Sequence, residues 1–127
     1  MELPIDSLIA AARQAAVLAY APCTGRQGGA ALLAEDGRIF AAGNLEIVNF
    51  ASSVCAVKAA LVKACSEGAR RFVALAVAGA GPDTPYPCGD CLQALAEFAP
   101  GLLIIAETSP TQAVPLAALL PDAFGHD

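Results

Sequence analysis

Hydrophobic side chains follow two patterns along the chain, a three- to four-residue spacing and short continuous runs, which predict helices alternating with strands. Apolar residues spaced three or four apart predict a first helix that begins at Asp6 or Ser7 and ends at Ala21-Pro22. Short apolar runs at 30–34 and 39–42, joined by an acidic turn with a glycine, predict two antiparallel strands. The first third of the chain is therefore expected to supply a helix and a hairpin.

The remaining pattern alternates helix and strand. Ser52 or Ser53 can cap a helix, and the continuous apolar runs are typical of strands covered on both faces. The predicted elements are a helix at 54–67, a strand at 72–78, a helix at 89–98, a strand at 102–106, a weaker strand at 111–114 and a short helix at 116–120. This order predicts one α/β domain over 1–127, a three-layer α/β/α sandwich with a mixed five-stranded sheet.

The amino-acid composition indicates which kinds of molecule the protein is expected to bind. Hydrophobic residues make up 57% of the 127 positions and charged residues 15%, which favours a homo-oligomer that covers apolar surface with copies of itself. The formal net charge is −5 with only seven Lys and Arg, so we expect no nucleic-acid partner and a small-molecule ligand instead.

The first residues of the chain and the length of its apolar runs indicate in which cellular compartment the protein is expected. Glu2 and Asp6 stand where a secretory signal would carry basic residues, so no signal peptide is expected. Apolar runs such as 72–81 fall short of the roughly 20 residues that a membrane helix needs. We expect a cytoplasmic protein without membrane contact, whose five cysteines are reduced or metal-bound.

Three of those cysteines have the spacing of metal ligands. Cys88 and Cys91 flank a turn that opens a predicted helix, and Cys55 lies near the start of another. Three thiolates can hold one soft metal ion and leave a tetrahedral position open, which is typical of a catalytic site. The alternatives are a redox pair at Cys88 and Cys91, or small buried residues. Cys65 is expected in the core, and Cys23 is a further candidate ligand.

The sequence Cys55-Ala56-Val57, followed by Pro87-Cys88-Gly89-Asp90-Cys91, resembles the signature of zinc cytidine deaminases, Cys/His-x-Glu and Pro-Cys-x-x-Cys. Similarity to the small homotetrameric members extends from Ala19-Tyr20 to Phe124-Gly125. The resemblance implies a cytidine-deaminase-like fold, Zn²⁺ held by Cys55, Cys88 and Cys91, a nucleoside-like ligand and a homotetramer.

The resemblance also implies roles for other residues. Asn44 and Glu46 match the family's Asn-x-Glu, whose side chains hold the sugar hydroxyls. Phe124 matches the aromatic residue that closes a neighbouring subunit's site. Arg26 occupies the position of a phenylalanine that packs on the pyrimidine, and a guanidinium there can either stack on a ring or clamp a carboxylate or phosphate. Lys58 stands where the family commonly has an arginine that hydrogen-bonds the cysteine sulfurs.

One departure concerns catalysis directly. The family's glutamate moves protons between water, substrate and leaving ammonia, and this chain has Val57 there. General acid–base assistance is typically worth about 10²–10⁴-fold, so we expect altered or reduced deamination. Asp90 or Glu46 could take over the proton transfer, although Asp90 also suits a helix N-terminus. The alternatives are a pseudo-deaminase that binds a nucleoside-like ligand unchanged, or a structural subunit that partners an active homologue.

Overall fold

A computed structural model describes residues 2–79, 86–107 and 111–125. Its helices are α1 (Ile5–Val17), α2 (Ala56–Ser66), α3 (Gly89–Phe98) and α4 (Leu116–Leu119), with a short 3₁₀ turn at Phe50–Ser52. Its strands are β1 (Gly28–Ala34), β2 (Ile39–Gly43), β3 (Phe72–Gly79), β4 (Leu103–Ala106) and β5 (Gln112–Pro115).

The strands form one mixed sheet in the order β2-β1-β3-β4-β5. β3 and β4 run parallel, and the other neighbouring pairs are antiparallel. One row of register partners crosses the whole sheet and consists of Phe40, Leu32, Leu75, Ile104 and Val114. Because successive strand residues point to opposite faces, a row of this kind belongs to one face of the sheet.

Both faces of the sheet are covered. One buried cluster joins Leu32 and Leu75 to residues of α2, α3 and α4, and a second joins the alternate strand residues Ala31 and Ala76 to Leu8 of α1. The sheet therefore lies between α1 on one side and the other three helices on the other. This confirms the predicted α/β fold, and the mixed five-stranded sheet with it.

Two glycines let α1 approach the sheet closely. Gly29 and Gly43 are register partners on β1 and β2. A Cβ atom at Gly29 would lie 2.0 Å from the carbonyl oxygen of Ala12, and one at Gly43 would lie 2.7 Å from that of Ala15. Backbone against backbone at this distance leaves no room for a side chain.

The helix ends differ from the predicted ones for identifiable reasons. α1 ends at Val17 instead of near Pro22, because the N–H of Tyr20 donates to the carbonyl of Asn44 at 3.1 Å and draws the chain away. α2 begins after Cys55, because Val54 exchanges two backbone hydrogen bonds with Leu45. β5 and α4 differ from their predicted bounds by one residue. The predicted loop at 79–87 lies largely outside the described residues. Among the residues that the structure describes, no helix is both long and apolar enough to cross a membrane.

Candidate functional site

Two helices begin at a cysteine. Cys55 is the N-cap of α2 and Cys88 is the N-cap of α3, and both have the extended backbone that such a position requires. Cys91 lies one helical turn after Cys88. Unpaired N–H groups give a helix N-terminus a partial positive charge, so all three cysteines lie where a helix attracts negative charge.

The sulfur atoms of Cys55 and Cys91 are in direct contact. The Cα atoms of these residues are 7.8 Å apart, whereas disulfide-bonded cysteines usually have Cα separations of about 4.4–6.8 Å. The two backbones are thus spaced more widely than a relaxed disulfide allows. Such spacing suits two thiolates that share a metal ion, and thiolates are the donors that zinc prefers in structural and catalytic sites.

The third predicted ligand remains separate. Cys88 is a free, exposed thiol, and across residues 2–79, 86–107 and 111–125 no group of three His, Cys, Asp or Glu side chains assembles as a metal site. The structure brings together Cys55 and Cys91 and leaves Cys88 at the start of the same helix as Cys91. The chemistry of the donor set fits zinc, while the three-thiolate arrangement stays a prediction.

Val57 lies in the first turn of α2, two residues after Cys55. Its exposed fraction is 4%, and it belongs to the same buried cluster as Cys91, with Cys55 packed against that cluster. A valine side chain has no donor, acceptor or titrating atom. The position next to the thiols is therefore apolar and dry.

Asp90 and Lys58 join the first turns of α3 and α2. The Nζ atom of Lys58 donates to Oδ2 of Asp90 at 2.5 Å, and the Asp90 side chain is 75% exposed. The predicted proton carrier is thus an outward-facing carboxylate held by a cation. Lys58, for which the sequence left open a contact with the cysteine sulfurs or a solvated surface position, pairs with Asp90.

A short extended segment connects the thiols to a polar loop. Leu45 forms a bridge with Val54 on one side and with Tyr20 on the other. Val54 directly precedes Cys55. Because Asn44 and Glu46 flank Leu45 on an extended chain, their side chains point to the side opposite Leu45. Both side chains reach the loop at 23–28, so this loop and the thiols are tied to one backbone segment.

Glu46 is buried and fully engaged by the loop. Its Oε1 accepts the backbone N–H groups of Cys23 and Thr24, each at 3.0 Å, and its Oε2 accepts the Thr24 hydroxyl at 2.5 Å. The hydroxyl and N–H of Thr24, then the N–H of Cys23 and the charge of Arg26, outweigh burial and hold the pKa of Glu46 below its usual value. Glu46 is therefore an ionised structural acceptor, which suits it poorly to carry a catalytic proton.

Asn44 holds the other end of the loop. Its Oδ1 accepts the N–H of Gly28 at 2.7 Å, and its Nδ2 donates to the carbonyl of Arg26 at 3.2 Å. The sequence resemblance, which matches Asn44 and Glu46 to a sugar-binding pair, did not predict that their side chains hold this loop. Thr24 was missed as well, although its hydroxyl accepts the N–H of Arg26 at 3.0 Å, a local turn that threonine favours.

The C-terminal segment is fastened to α3 through one side chain. Gln93 donates to the carbonyl of Phe124 at 2.9 Å and accepts its N–H at 3.0 Å. The Phe124 side chain itself is exposed, with 86% of its surface accessible. A fixed backbone thus presents an aromatic ring outward from the helix that carries Cys91, and nothing in the described chain brings that ring to the thiols.

The two remaining cysteines take no part in the thiol contact. Cys23, considered only as a possible fourth ligand, is a free, exposed thiol, and its N–H donates to Glu46. Cys65 is partly buried against the core cluster, as predicted from its place on the opposite face of α2.

Comparison with known proteins gives one consistent result. Residues 4–107 match the family described as the cytidine and deoxycytidylate deaminase zinc-binding region. A cytidine deaminase of Sporosarcina psychrophila is 38% identical over 128 residues, which cover 98% of this chain and 94% of that protein. One from Mycobacterium tuberculosis is 39% identical over 116 residues, 91% of this chain and 86% of that protein. The crystal structure of cytidine deaminase from Burkholderia pseudomallei superimposes with a TM-score of 0.88 at 35% identity, covering 96% of this chain and 100% of that one.

Proposed function

Because this chain belongs to the family of cytidine and deoxycytidylate deaminases, we propose that it binds zinc and deaminates cytidine or a related amino-heterocycle, at a reduced rate. The observation that carries the proposal is the contact between Cys55 and Cys91 at two helix N-termini, with their Cα atoms 7.8 Å apart. Cys88 would complete the ligand set, since it lies one turn before Cys91. Bound zinc would supply a Lewis acid that makes a water molecule a better nucleophile.

The residues of this chain would bind and orient the ligand, but they would be poor at the proton transfers that deamination needs. Asn44 and Glu46 fix the loop at 23–28, which would hold the sugar end of a nucleoside. Val57 excludes water next to the thiols but exchanges no proton. Without a general acid–base residue at that position, we expect a rate lower by about 10²–10⁴-fold than with one.

A second candidate function, ligand binding without conversion, is favoured by the state of the two acids. Asp90 is paired with Lys58 and faces outward, and Glu46 is held ionised by three hydrogen bonds. Neither predicted proton carrier is therefore poised to protonate a leaving group. A pseudo-deaminase that binds a nucleoside-like ligand would use the same pocket and the same metal.

Assembly and location belong to the same proposal. We infer a cytoplasmic homotetramer that neither contacts a membrane nor binds nucleic acid, in which the exposed ring of Phe124 closes the site of a neighbouring copy. The exposed side chains of Val48, Phe50 and Phe124 support an interface between copies, since exposed apolar surface often marks one.

Metal content and product formation test this function. Protein purified without chelators should contain about one zinc per chain, because three thiolates suffice for tight binding. Cys88→Ser should lose most of that zinc, and Cys23→Ser, which removes another exposed thiol, should keep it. Zinc-loaded protein is then incubated with cytidine, and uridine is measured by chromatography.

Each result has a defined meaning. Slow uridine formation that needs Cys88 supports the deaminase. Zinc binding with ligand-induced thermal stabilisation, but without any product from a panel of nucleosides and bases, supports the pseudo-deaminase. Equal zinc content in Cys88→Ser and the unmodified chain would contradict the three-thiolate site itself.

A further inference from the structure

The cations of this chain are almost all paired. Six of the seven Lys and Arg side chains have a partner in the structure. Five donate hydrogen bonds, Arg13 to Glu107, Arg38 to Asp36, Lys58 to Asp90, Lys63 to the Ala41 carbonyl and Arg70 to the Cys65 carbonyl, and Arg71 forms a looser ion pair with Glu35 at 4.0 Å. Within the described residues, the guanidinium of Arg26 forms neither a hydrogen bond nor an ion pair. Five N–H donors and a full positive charge are thus left available at one position.

The backbone around Arg26 is held at three points. Its N–H donates to the Thr24 hydroxyl at 3.0 Å, its carbonyl accepts from Asn44 at 3.2 Å, and the N–H of Gly28 donates to Asn44 at 2.7 Å. A side chain on a fixed backbone loses less conformational entropy when it captures a ligand than one on a mobile loop. Arg26 therefore combines a free cationic group with a preorganised base.

A chain of backbone contacts links Arg26 to the candidate site. Asn44, which binds its carbonyl, is one residue from Leu45, and Leu45 bridges Val54 next to Cys55. The other charges nearby are already compensated, since Lys58 is paired with Asp90 and Glu46 accepts three hydrogen bonds from the loop. Among the described residues, Arg26 is the cation whose guanidinium forms no hydrogen bond or ion pair, although its charge also lowers the pKa of Glu46, so an anion entering the site would find its N–H donors available.

We propose that Arg26 binds an anionic group, a phosphate or a carboxylate, on the nucleoside-like ligand. The planar guanidinium offers two parallel N–H donors to such a group and binds it by charge-assisted hydrogen bonds. The preferred ligand is then an anionic nucleoside derivative instead of a neutral nucleoside. This inference rests on the proposed function, because it assumes that a nucleoside-like molecule occupies the site.

The alternative is that Arg26 only balances the charge of Glu46. The two explanations differ in what they predict for ligands. Charge balance would make Arg26 matter for the stability of the loop and equally for every ligand. Direct binding makes it matter for the anionic ligands alone.

Binding measurements on the zinc-loaded full chain separate them. Isothermal titration is carried out with cytidine, cytidine 5′-monophosphate and cytidine 5′-carboxylate at fixed ionic strength. At least one anionic probe should bind more tightly than cytidine, by on the order of 10- to 100-fold, the range expected for hydrogen bonds to charged groups. Which probe gains more identifies the anion as phosphate or carboxylate.

Three variants then show whether Arg26 causes the tighter binding of the anionic probe. Arg26→Gln should abolish the preference for the anionic probe, so that this probe binds no more tightly than cytidine, because the charged contact is lost. Arg26→Lys should keep part of the preference. Arg71→Gln removes the same charge at the opposite end of β3 and should behave as the unmodified chain.

The outcomes are distinguishable. If cytidine binds and the anionic probes bind no more tightly, or if Arg26→Gln weakens all three ligands alike, the proposal for Arg26 is wrong and the proposed function stands. If none of the three binds to zinc-loaded protein, both are wrong. A preference that disappears in Arg26→Gln and persists in Arg71→Gln supports both.

Discussion

Val57 is buried two residues after Cys55, where the resemblance to deaminases predicts a proton-carrying glutamate, and one substitution tests its importance. Val57→Glu places a carboxyl next to Cys55 and Cys91, where it can carry a proton. We expect uridine formation from cytidine to rise by about 10²-fold or more, within the range of general acid–base assistance. The rate of uridine formation is measured by steady-state kinetics of the zinc-loaded variant and of the unmodified chain.

Val57→Gln is the matched control, because it has the same shape as glutamate and no titrating proton. Thermal unfolding of both variants shows whether the buried polar group is tolerated, since it replaces a side chain that is only 4% exposed. If Val57→Glu folds, binds zinc and converts cytidine no faster than Val57→Gln, the pocket is no longer that of a deaminase. The pseudo-deaminase would then be the better account.

The single residues show what sequence could and could not predict about the site. The spacing of Cys55, Cys88 and Cys91 predicts a shared metal site; the structure brings the sulfur atoms of Cys55 and Cys91 together, and Cys88 as the third ligand stays a prediction. The engagement of Glu46 by Thr24 was not predictable, since it joins residues 22 positions apart through a loop conformation. The pairing of Asp90 with Lys58 likewise depends on how α2 and α3 pack.

The loop at 23–28 is the element that this polar network stabilises, and its stability should depend on pH. The pKa of Glu46 is lowered in the folded protein, chiefly by the Thr24 hydroxyl. A lowered folded-state pKa stabilises the fold above the unfolded pKa, near about 4.3, and the effect is lost as pH falls through the folded-state value. Glu46→Gln should therefore melt at a lower temperature than the unmodified chain at pH 7.

Melting curves between pH 7 and pH 3 follow the difference between the two proteins. The gap should stay constant down to about pH 5, narrow as pH falls below the unfolded pKa, and close only below the lowered folded-state pKa, where Glu46 is protonated in both states. Glu2→Gln, which removes an exposed carboxylate from the N-terminal segment, should show no such gap. A gap that persists unchanged at the lowest pH would mean that the hydrogen-bond geometry, and not the charge of Glu46, stabilises the loop.

The elements themselves were predicted well because their signals are local. α3 begins at Gly89 and ends at Phe98 as its apolar spacing and the following Pro100 predict, and the buried runs of β3 and β4 appear as central parallel strands. The errors occur where a distant segment competes for the backbone. Val54 pairs with Leu45 instead of opening α2, and no periodicity in the sequence carries that information.

The whole molecule leaves large apolar side chains uncovered near the site. Val48 is 96% exposed, Phe50 is 77% exposed and Phe124 is 86% exposed. The first two lie on the segment that leads to Cys55, and the third is fixed to α3 by Gln93. Burying each such side chain contributes about 1.5–3 kcal/mol, so covering them with identical copies would stabilise an assembly appreciably.

Sedimentation velocity at micromolar concentration tests the proposed homotetramer, whose interface would include the segment at 48–50. The unmodified chain should sediment as one species of four copies. Val48→Ser combined with Phe50→Ser should raise the dissociation constant by about 10-fold or more and populate smaller species, because two buried apolar contacts are lost per copy. Val17→Ser, which changes an exposed residue of α1 on the other face of the sheet, should remain tetrameric. A stable monomer of the unmodified chain would refute the assembly, and with it the idea that Phe124 completes a neighbour's site, since an isolated copy has no neighbour to close.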